Sequence, residues 1–145
     1  MNSTAGINAY KKVSMESGVL GADPHGLITM LFQGAILAID NARGAMIGKE
    51  TAAKGKAISK AIAIIGEGLN ASLDKTVGGE LAQSLSALYS YMVTRLVDAN
   101  LKDDTAALDE VASLLTELKD AWESIRPQAG RSTPPHMASR AYESA

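Results

Sequence analysis

Hydrophobic residues recur every three or four positions between residues 78 and 102, and this is the most regular pattern in the chain. Side chains at that spacing share one face of an α-helix, so the pattern predicts a helix over this stretch. A second apolar stripe runs beside the first and widens the apolar surface beyond a coiled-coil seam. The helix is therefore expected to pack against more than one neighbour. The first stripe comprises Leu81, Leu85, Leu88, Met92, Ala99 and the charged Arg95, and the second comprises Tyr89, Val93, Leu96 and the polar Asn100.

An unusually apolar helix, which we number one, is predicted after the first 22 residues. Asp23 is a favoured N-cap and Pro24 a favoured first helical residue, while Gly44 and Gly48 are expected to end the helix. No charged residue occurs between Asp23 and Asp40. Because apolar residues cover this helix almost all round, we expect one face to stay uncovered by its neighbours in a bundle.

Two further helices follow the same periodicity. Helix two is predicted to begin at residues 49–51, and glycines inside it make it the expected least stable helix, since each glycine costs about 1 kcal/mol relative to alanine. Helix four is expected to be capped by Asp103 or Asp104 and to stop at residues 126–127. The seam of helix two comprises Ile58, Ile62, Ile65, Leu69 and Leu73, and that of helix four comprises Leu108, Val111, Leu115, Leu118, Trp122 and Ile125.

Four long helices joined by short loops favour an all-α, antiparallel up-down four-helix bundle, which we assign to residues 23–126. That topology brings the end of helix four to the start of helix one, so Trp122 is expected near Leu27. Residues 1–22 are predicted to form an N-terminal arm or short extra helix. Residues 127–145 are rich in Pro, Ser and Ala without apolar periodicity and are predicted to be disordered.

The arm carries three apolar side chains, Ile7, Tyr10 and Val13, spaced three residues apart. One interpretation is a frayed terminus with little structure of its own. The other is an arm whose apolar side packs on the bundle. The spacing alone does not choose between them.

Composition excludes several classes of function. The 145 residues are 46% hydrophobic and 21% charged with a formal net charge of −2, and no basic cluster stands out, so no nucleic-acid partner is expected. The absence of cysteine excludes disulfides, thiolate metal sites and a cysteine nucleophile, and it fits a reducing cytoplasm. No run of about 18 apolar residues and no signal-peptide pattern occurs, so no membrane insertion is expected.

A set of catalytic or metal-binding residues is not recognisable. Neither His25 nor His136 has the Glu-x-x-His partner of a bundle metal site, so no metal, no cofactor and no enzymatic activity are expected. Arg95 has two interpretations: its guanidinium reaches an acid while its stem packs, or it binds a partner's carboxylate. Excess apolar surface without an active site favours helix-in-groove recognition of a partner, or homo-oligomerisation through the same face.

Motifs spread over residues 7–125 together resemble the FliS family of bacterial flagellar secretion chaperones. No single motif carries the resemblance, but their combination in this order does. The third helix contributes Gly78-Gly79-Glu80, Leu88-Tyr89-Ser90-Tyr91-Met92 and Ala99-Asn100-Leu101-Lys102. The other parts contribute Ile7-x-x-Tyr10-x-x-Val13, Asp23-Pro24, Leu27-Ile28-x-Met30-Leu31-Phe32-x-Gly34-Ala35, Ala57-Ile58-x-Lys60-Ala61, Leu69-x-x-Ser72-Leu73-Asp74 and Leu118-x-x-Ala121-Trp122.

The resemblance implies a cytoplasmic, non-enzymatic chaperone of newly made flagellin. Proteins of this family bind the C-terminal segment of flagellin, which is disordered before assembly, prevent premature polymerisation and support export by the flagellar type III secretion system. The export gate and a flagellar regulator stay open as further partners, and the chain is expected to be a monomer or a weak dimer. The alternative function is a non-enzymatic helical adaptor or homodimer that binds a flagellar regulator.

The apolar stripes and the resemblance together suggest a partner-binding groove. We hypothesise that the arm covers this groove in the free protein, as the family's N-terminal arm is thought to do. The groove is predicted to comprise Ile7, Tyr10, Val13, Leu27, Met30, Leu31, Gly34, Ile62, Leu85, Tyr89, Met92 and Arg95.

Overall fold

The computed structural model describes residues 23–73 and 78–125, and every regular element within these ranges is helical. Four helices form a bundle, which confirms the predicted all-α architecture. The arm and the tail lie outside the described residues. The helices are α1 (Pro24–Ile47), α2 (Thr51–Ala63), α3 (Gly79–Lys102) and α4 (Thr105–Ser124), and α2 continues as a π-helical segment (Ile64–Leu69, the π segment) and a 3₁₀ turn (Asn70–Ser72).

Neighbouring helices run in opposite directions. α1 and α3 each pack between α2 and α4 and lie on a diagonal of the bundle. His25 at the start of α1 contacts Trp122 near the end of α4, and Lys54 near the start of α2 bonds to Asp103 just after α3. The bundle therefore has a terminal end, where α1 and α3 begin and α2 and α4 end, and an opposite end.

The start of α1 follows the prediction, and its end falls at the second of the two predicted glycines. The carboxylate of Asp23 accepts a 2.7 Å hydrogen bond from the amide of Gly26, as expected of an N-cap. α1 continues past Gly44 to Ile47, and Gly48 forms the C-cap. The two residues after Gly44 are buried, and their packing stabilises the additional helical turn.

The connection between α3 and α4 is closed by a buried lysine. Asp104 is the cap of α4 and accepts from the amide of Ala107, while Asp103 ends α3 in the left-handed conformation with φ of 52°. The side chain of Lys54 is 8% exposed, and its ammonium lies 2.6 Å from Asp103 Oδ1 and 2.9 Å from the carbonyl oxygen of Asn100. It complements the negative end of the α3 dipole and fixes a conformation that aspartate adopts only occasionally.

The core is mainly aliphatic, and α3 faces it with residues from both predicted stripes rather than with the first stripe alone. Because α3 packs against two helices, its buried face is centred between the stripes. The predicted packing against more than one neighbour is thus confirmed, although Leu81 of the first stripe is 59% exposed and Arg95 lies at the edge of the contact with α4. The buried residues of α3 are Tyr89, Met92, Leu96 and Ala99.

The π segment interrupts α2 and is not indicated by the apolar periodicity. Within it, Gly68 is buried against Leu31 of α1. A Cβ at position 68 would lie 3.0 Å from Leu31 Cδ2, which is tighter than ordinary packing. Glycine therefore permits the close approach of α1 and α2 at this point.

Replacing Lys54 with Met is expected to lower the free energy of unfolding by about 1–3 kcal/mol, because it removes a charged donor and leaves the Asn100 carbonyl without its hydrogen bond. Urea unfolding at neutral pH measures the change. Lys56→Met is the control, since Lys56 is exposed on the same helix and its loss should change stability by less than about 0.5 kcal/mol. Equal stability of the two variants contradicts the structural role of Lys54.

Candidate functional site

An apolar cavity of about 230 Å³ opens at the terminal end of the bundle. All four helices, including the last turns that extend α2, contribute to its wall, and none of the lining residues carries a charge. We name it the end cavity. It is lined by Ile28, Phe32, Leu69, Leu73, Leu81, Leu85, Tyr89, Leu118, Ala121, Trp122 and Ile125.

The end cavity exists because the apolar seams of α3 and α4 extend beyond the last complete layer of the core. On α4, Leu115 is fully buried whereas Ile125 is 45% exposed. On α3, Met92 is fully buried whereas Leu81 is exposed. Burial thus decreases along both helices toward the same end of the bundle. Apolar side chains left partly uncovered in this way make the end cavity the candidate site for another apolar segment.

A reciprocal contact between His25 and Trp122 fixes one side of the end cavity. The two rings stack with centroids 4.4 Å apart and planes 9° from parallel. The indole Nε1 of Trp122 donates to the carbonyl oxygen of His25 at 2.9 Å, and Nε2 of His25 lies 2.7 Å from the carbonyl oxygen of Trp122. The end of α4 therefore lies beside the start of α1 as predicted, and His25 contacts the indole.

A second cavity, of about 370 Å³, lies between α1 and α4. It is larger than the end cavity, but its wall carries the charged residues Asp40, Arg43, Asp109 and Lys119. Nε of Arg43 lies 3.3 Å from Oδ1 of Asp109, so this pair already interacts within the chain. An apolar segment in this cavity has to desolvate charged groups, which costs free energy. The end cavity is therefore the better candidate for an apolar partner.

Tyr89 contributes a buried hydroxyl-bearing side chain to the wall of the end cavity, with 4% of its surface exposed. Burial raises the pKa of Tyr89 from 10.0 to about 12. The folded chain thus favours the neutral phenol, and the stability linked to it is complete below pH 10 and lost as the pH rises through about 12. At neutral pH the side chain leaves the wall uncharged.

Tyr89→Phe should remove this alkaline sensitivity, because phenylalanine has no proton to lose. Across the interval from pH 10 to about 12, the free energy of unfolding of the wild type is expected to fall relative to that of the variant by about 2–3 kcal/mol, at 1.36 kcal/mol per pKa unit. Urea unfolding of both proteins at several pH values measures the difference. Below this interval the difference should be constant, and a constant difference throughout shows that burial does not control the titration.

A polar cluster connects α3 to α4. The hydroxyl of Tyr91 donates to Oε2 of Glu110 at 2.5 Å, and Nε of Arg95 donates to Oε1 of Glu110 at 2.7 Å. These hydrogen bonds hold the pKa of Glu110 below its ordinary value, and the bond from Tyr91 has the largest effect. Arg95 thus follows the first of its two interpretations and pairs with an acid of its own chain. Because all three side chains are accessible to water, the cluster adds little stability.

The predicted groove residues lie in several different surroundings. Leu85 and Tyr89 line the end cavity, Leu31 and Met92 are buried in the core, and Arg95 belongs to the cluster between α3 and α4. Which of them contact a partner stays a prediction. The partly exposed members are Leu27, Met30, Gly34 and Ile62, and those outside the described residues are Ile7, Tyr10 and Val13.

Helical periodicity predicts several residues of the cavity wall as core residues, and Leu69 and Leu73 are indeed buried, but it does not predict that they also line an opening. Leu69, Leu73 and Trp122 stand on predicted helix seams but line the end cavity. The signal that could have identified them is their position in the last turns of α2 and α4. Seam residues in a final turn have no further layer beyond them, so they form the floor or the rim of an opening.

Across residues 23–73 and 78–125, no group of three or more His, Cys, Asp or Glu side chains is placed to hold a metal ion. No helix in these two ranges combines the length and the hydrophobicity needed to cross a bilayer. The chemistry that the end cavity offers is the burial of apolar groups.

Comparison with known proteins identifies the family. The family model described as Flagellar protein FliS matches residues 6–129. The chain is 50% identical over 129 residues to the flagellar secretion chaperone FliS of Salmonella typhimurium, covering 89% of this chain and 96% of that protein. It is 50% identical over 116 residues to the flagellar secretion chaperone FliSB of Pseudomonas aeruginosa, covering 80% and 91% of the two chains. For FliS of Escherichia coli the identity is 44% over 122 residues, covering 84% and 90%. The chain belongs to the FliS family, which confirms the resemblance drawn from its motifs.

Proposed function

We propose that this protein binds the C-terminal segment of flagellin in the cytoplasm, prevents its premature polymerisation and supports its export by the flagellar type III secretion system. The names of the relatives give the class, flagellar secretion chaperone. The end cavity is the observation that supports the choice of client, because an uncharged wall of partly exposed aliphatic side chains suits an apolar segment.

Apolar burial is the driving force of the proposed interaction. A disordered segment loses conformational entropy when it orders on a partner, so a stable complex needs more contact area than the end cavity alone provides. Leu81 and Ile125 extend the apolar surface outward from the cavity, and Leu27 and Met30 on α1 are further candidate contacts from the predicted groove. Client side chains covered in this way cannot pair with other flagellin molecules, and no bond is made or broken.

Calorimetric titration with the C-terminal segment of flagellin from the same organism tests the proposal. One-to-one binding with a clearly negative heat-capacity change is expected, because burial of apolar surface has that signature. The titration is repeated at several temperatures, because the binding enthalpy can be zero at one temperature and binding would then release no heat. Absence of heat at every temperature, with the segment soluble and the bundle folded, contradicts flagellin binding and favours the adaptor or homodimer.

Leu81→Gln should weaken client binding by about tenfold, because burial of a leucine side chain contributes about 1.5–3 kcal/mol and more than half of this one is uncovered in the free chain. Leu101→Gln is a matched control, since Leu101 is 75% exposed on the same helix but near the opposite end of the bundle. Titration with the same segment compares the two variants. Equal weakening by both substitutions rules out a specific role of the end cavity.

We also propose that the arm covers apolar surface of the free bundle through Ile7, Tyr10 and Val13. The arm precedes α1, and α1 begins beside the end cavity. Deletion of residues 1–18 is therefore expected to increase the binding of an apolar dye, or the self-association of the free protein, by uncovering that surface. Fluorescence titration and sedimentation measure these effects, and if neither changes, the arm does not act as a cover.

A further inference from the structure

Helix α2 changes its hydrogen-bonding pattern twice before it ends. In the π segment the amide of Asn70 donates to the carbonyl of Ile65, five residues earlier. In the 3₁₀ turn that follows, the amide of Leu73 donates to the carbonyl of Asn70, three residues earlier. A helix with such mixed patterns has alternative backbone partners within reach, and mid-helix changes of this kind are frequent at hinges and functional positions.

The π segment lies between a fixed part of α2 and the wall of the end cavity. Before it, Lys54 bonds to the end of α3 and Ile58 is buried in the core. After Ile65, the side chains of Leu69 and Leu73 line the end cavity. A change in backbone pattern between these two parts therefore moves the cavity wall relative to the core.

Two glycines of the π segment have different surroundings. Gly68 lies against Leu31, where the close approach keeps α1 and α2 in contact, and its carbonyl accepts a 2.8 Å hydrogen bond from the hydroxyl of Ser72. Side-chain bonds to a carbonyl four residues back often bend helices. Gly66 faces open space, with no atom within 4 Å of the position that a Cβ would take. A backbone change at Gly66 therefore meets no neighbouring atom on the side where a Cβ would stand.

We propose that the π segment is a hinge that moves the last turns of α2 outward, so that the end cavity widens when apolar side chains of a partner enter it. The contact at Gly68 is the pivot, and Gly66 supplies the backbone freedom. The proposal rests on the proposed function, because it takes the end cavity as the client site. A hinge of this kind lets one cavity accept side chains of different sizes. The core between Ile58 and the opposite end of the bundle keeps its packing.

Gly66→Ala tests the hinge, and Gly55→Ala is a matched control. Both glycines lie within the helical run of α2, and both face open space, so neither alanine clashes with a neighbour. Alanine stabilises helical backbone relative to glycine in both variants. In Gly66→Ala this stabilisation disfavours the opened state, and affinity falls in proportion to the population of that state.

The expected result is an affinity for the flagellin segment about fivefold weaker in Gly66→Ala than in Gly55→Ala, which is the glycine-to-alanine difference of about 1 kcal/mol converted at about 1.4 kcal/mol per factor of ten. Hydrogen exchange of the free proteins should show slower exchange over residues 64–73 in Gly66→Ala only. Equal affinities of the two variants overturn the hinge.

The hinge and the proposed function can fail separately. If the wild type does not bind the flagellin segment, the proposed function fails, and exchange in the free protein then decides the hinge. Residues 64–73 should exchange faster than residues 53–63 in the wild type if the segment opens locally. Equal protection of the two stretches overturns the hinge without reference to any client.

Discussion

Layers of aliphatic side chains between four antiparallel helices hold the described chain together, and the other features depend on where those layers stop. Toward the opposite end, the core closes against the buried ammonium of Lys54 and the left-handed residue Asp103. Toward the terminal end, α3 and α4 continue past the last complete layer and leave Leu81 and Ile125 partly uncovered. The opposite end also leaves Ile47 and Leu101 exposed, but the cavity there has charged residues in its wall, whereas the uncovered apolar side chains of the terminal end border a cavity without charge.

Much of the architecture could be predicted from the sequence, because helix spacing and caps are local properties. The cap at Asp23 and the antiparallel order followed from the chemistry of that residue and from short connections. The continuation of α1 past Gly44 did not, since burial of the two following residues outweighs the weak helix preference of glycine. The π segment also escaped prediction, because the apolar pattern of α2 does not record which carbonyl each amide reaches.

The candidate site was harder to predict than the fold for a related reason. Helical spacing indicates that an apolar side chain is covered. It does not indicate whether the rest of the chain or a binding partner covers that side chain. Leu31 illustrates the difficulty: its apolar stripe predicts a groove residue, and in the free chain Gly68 of another helix covers it. Leu85 stands on a similar stripe and lines the end cavity. The distinction depends on where each helix ends relative to its neighbours, which is a tertiary property.

The stacking of Trp122 on His25 has a practical consequence for spectroscopy. Trp122 is the single tryptophan of the chain, and it stands in the wall of the end cavity. Indole emission is sensitive to nearby water and to adjacent rings, so the tryptophan fluorescence of this protein, as distinct from that of its four tyrosines, reports on the place where the cavity meets the junction of α1 and α4. The molecule therefore carries an intrinsic optical probe in the wall of the cavity, and no added label is needed to observe its occupancy.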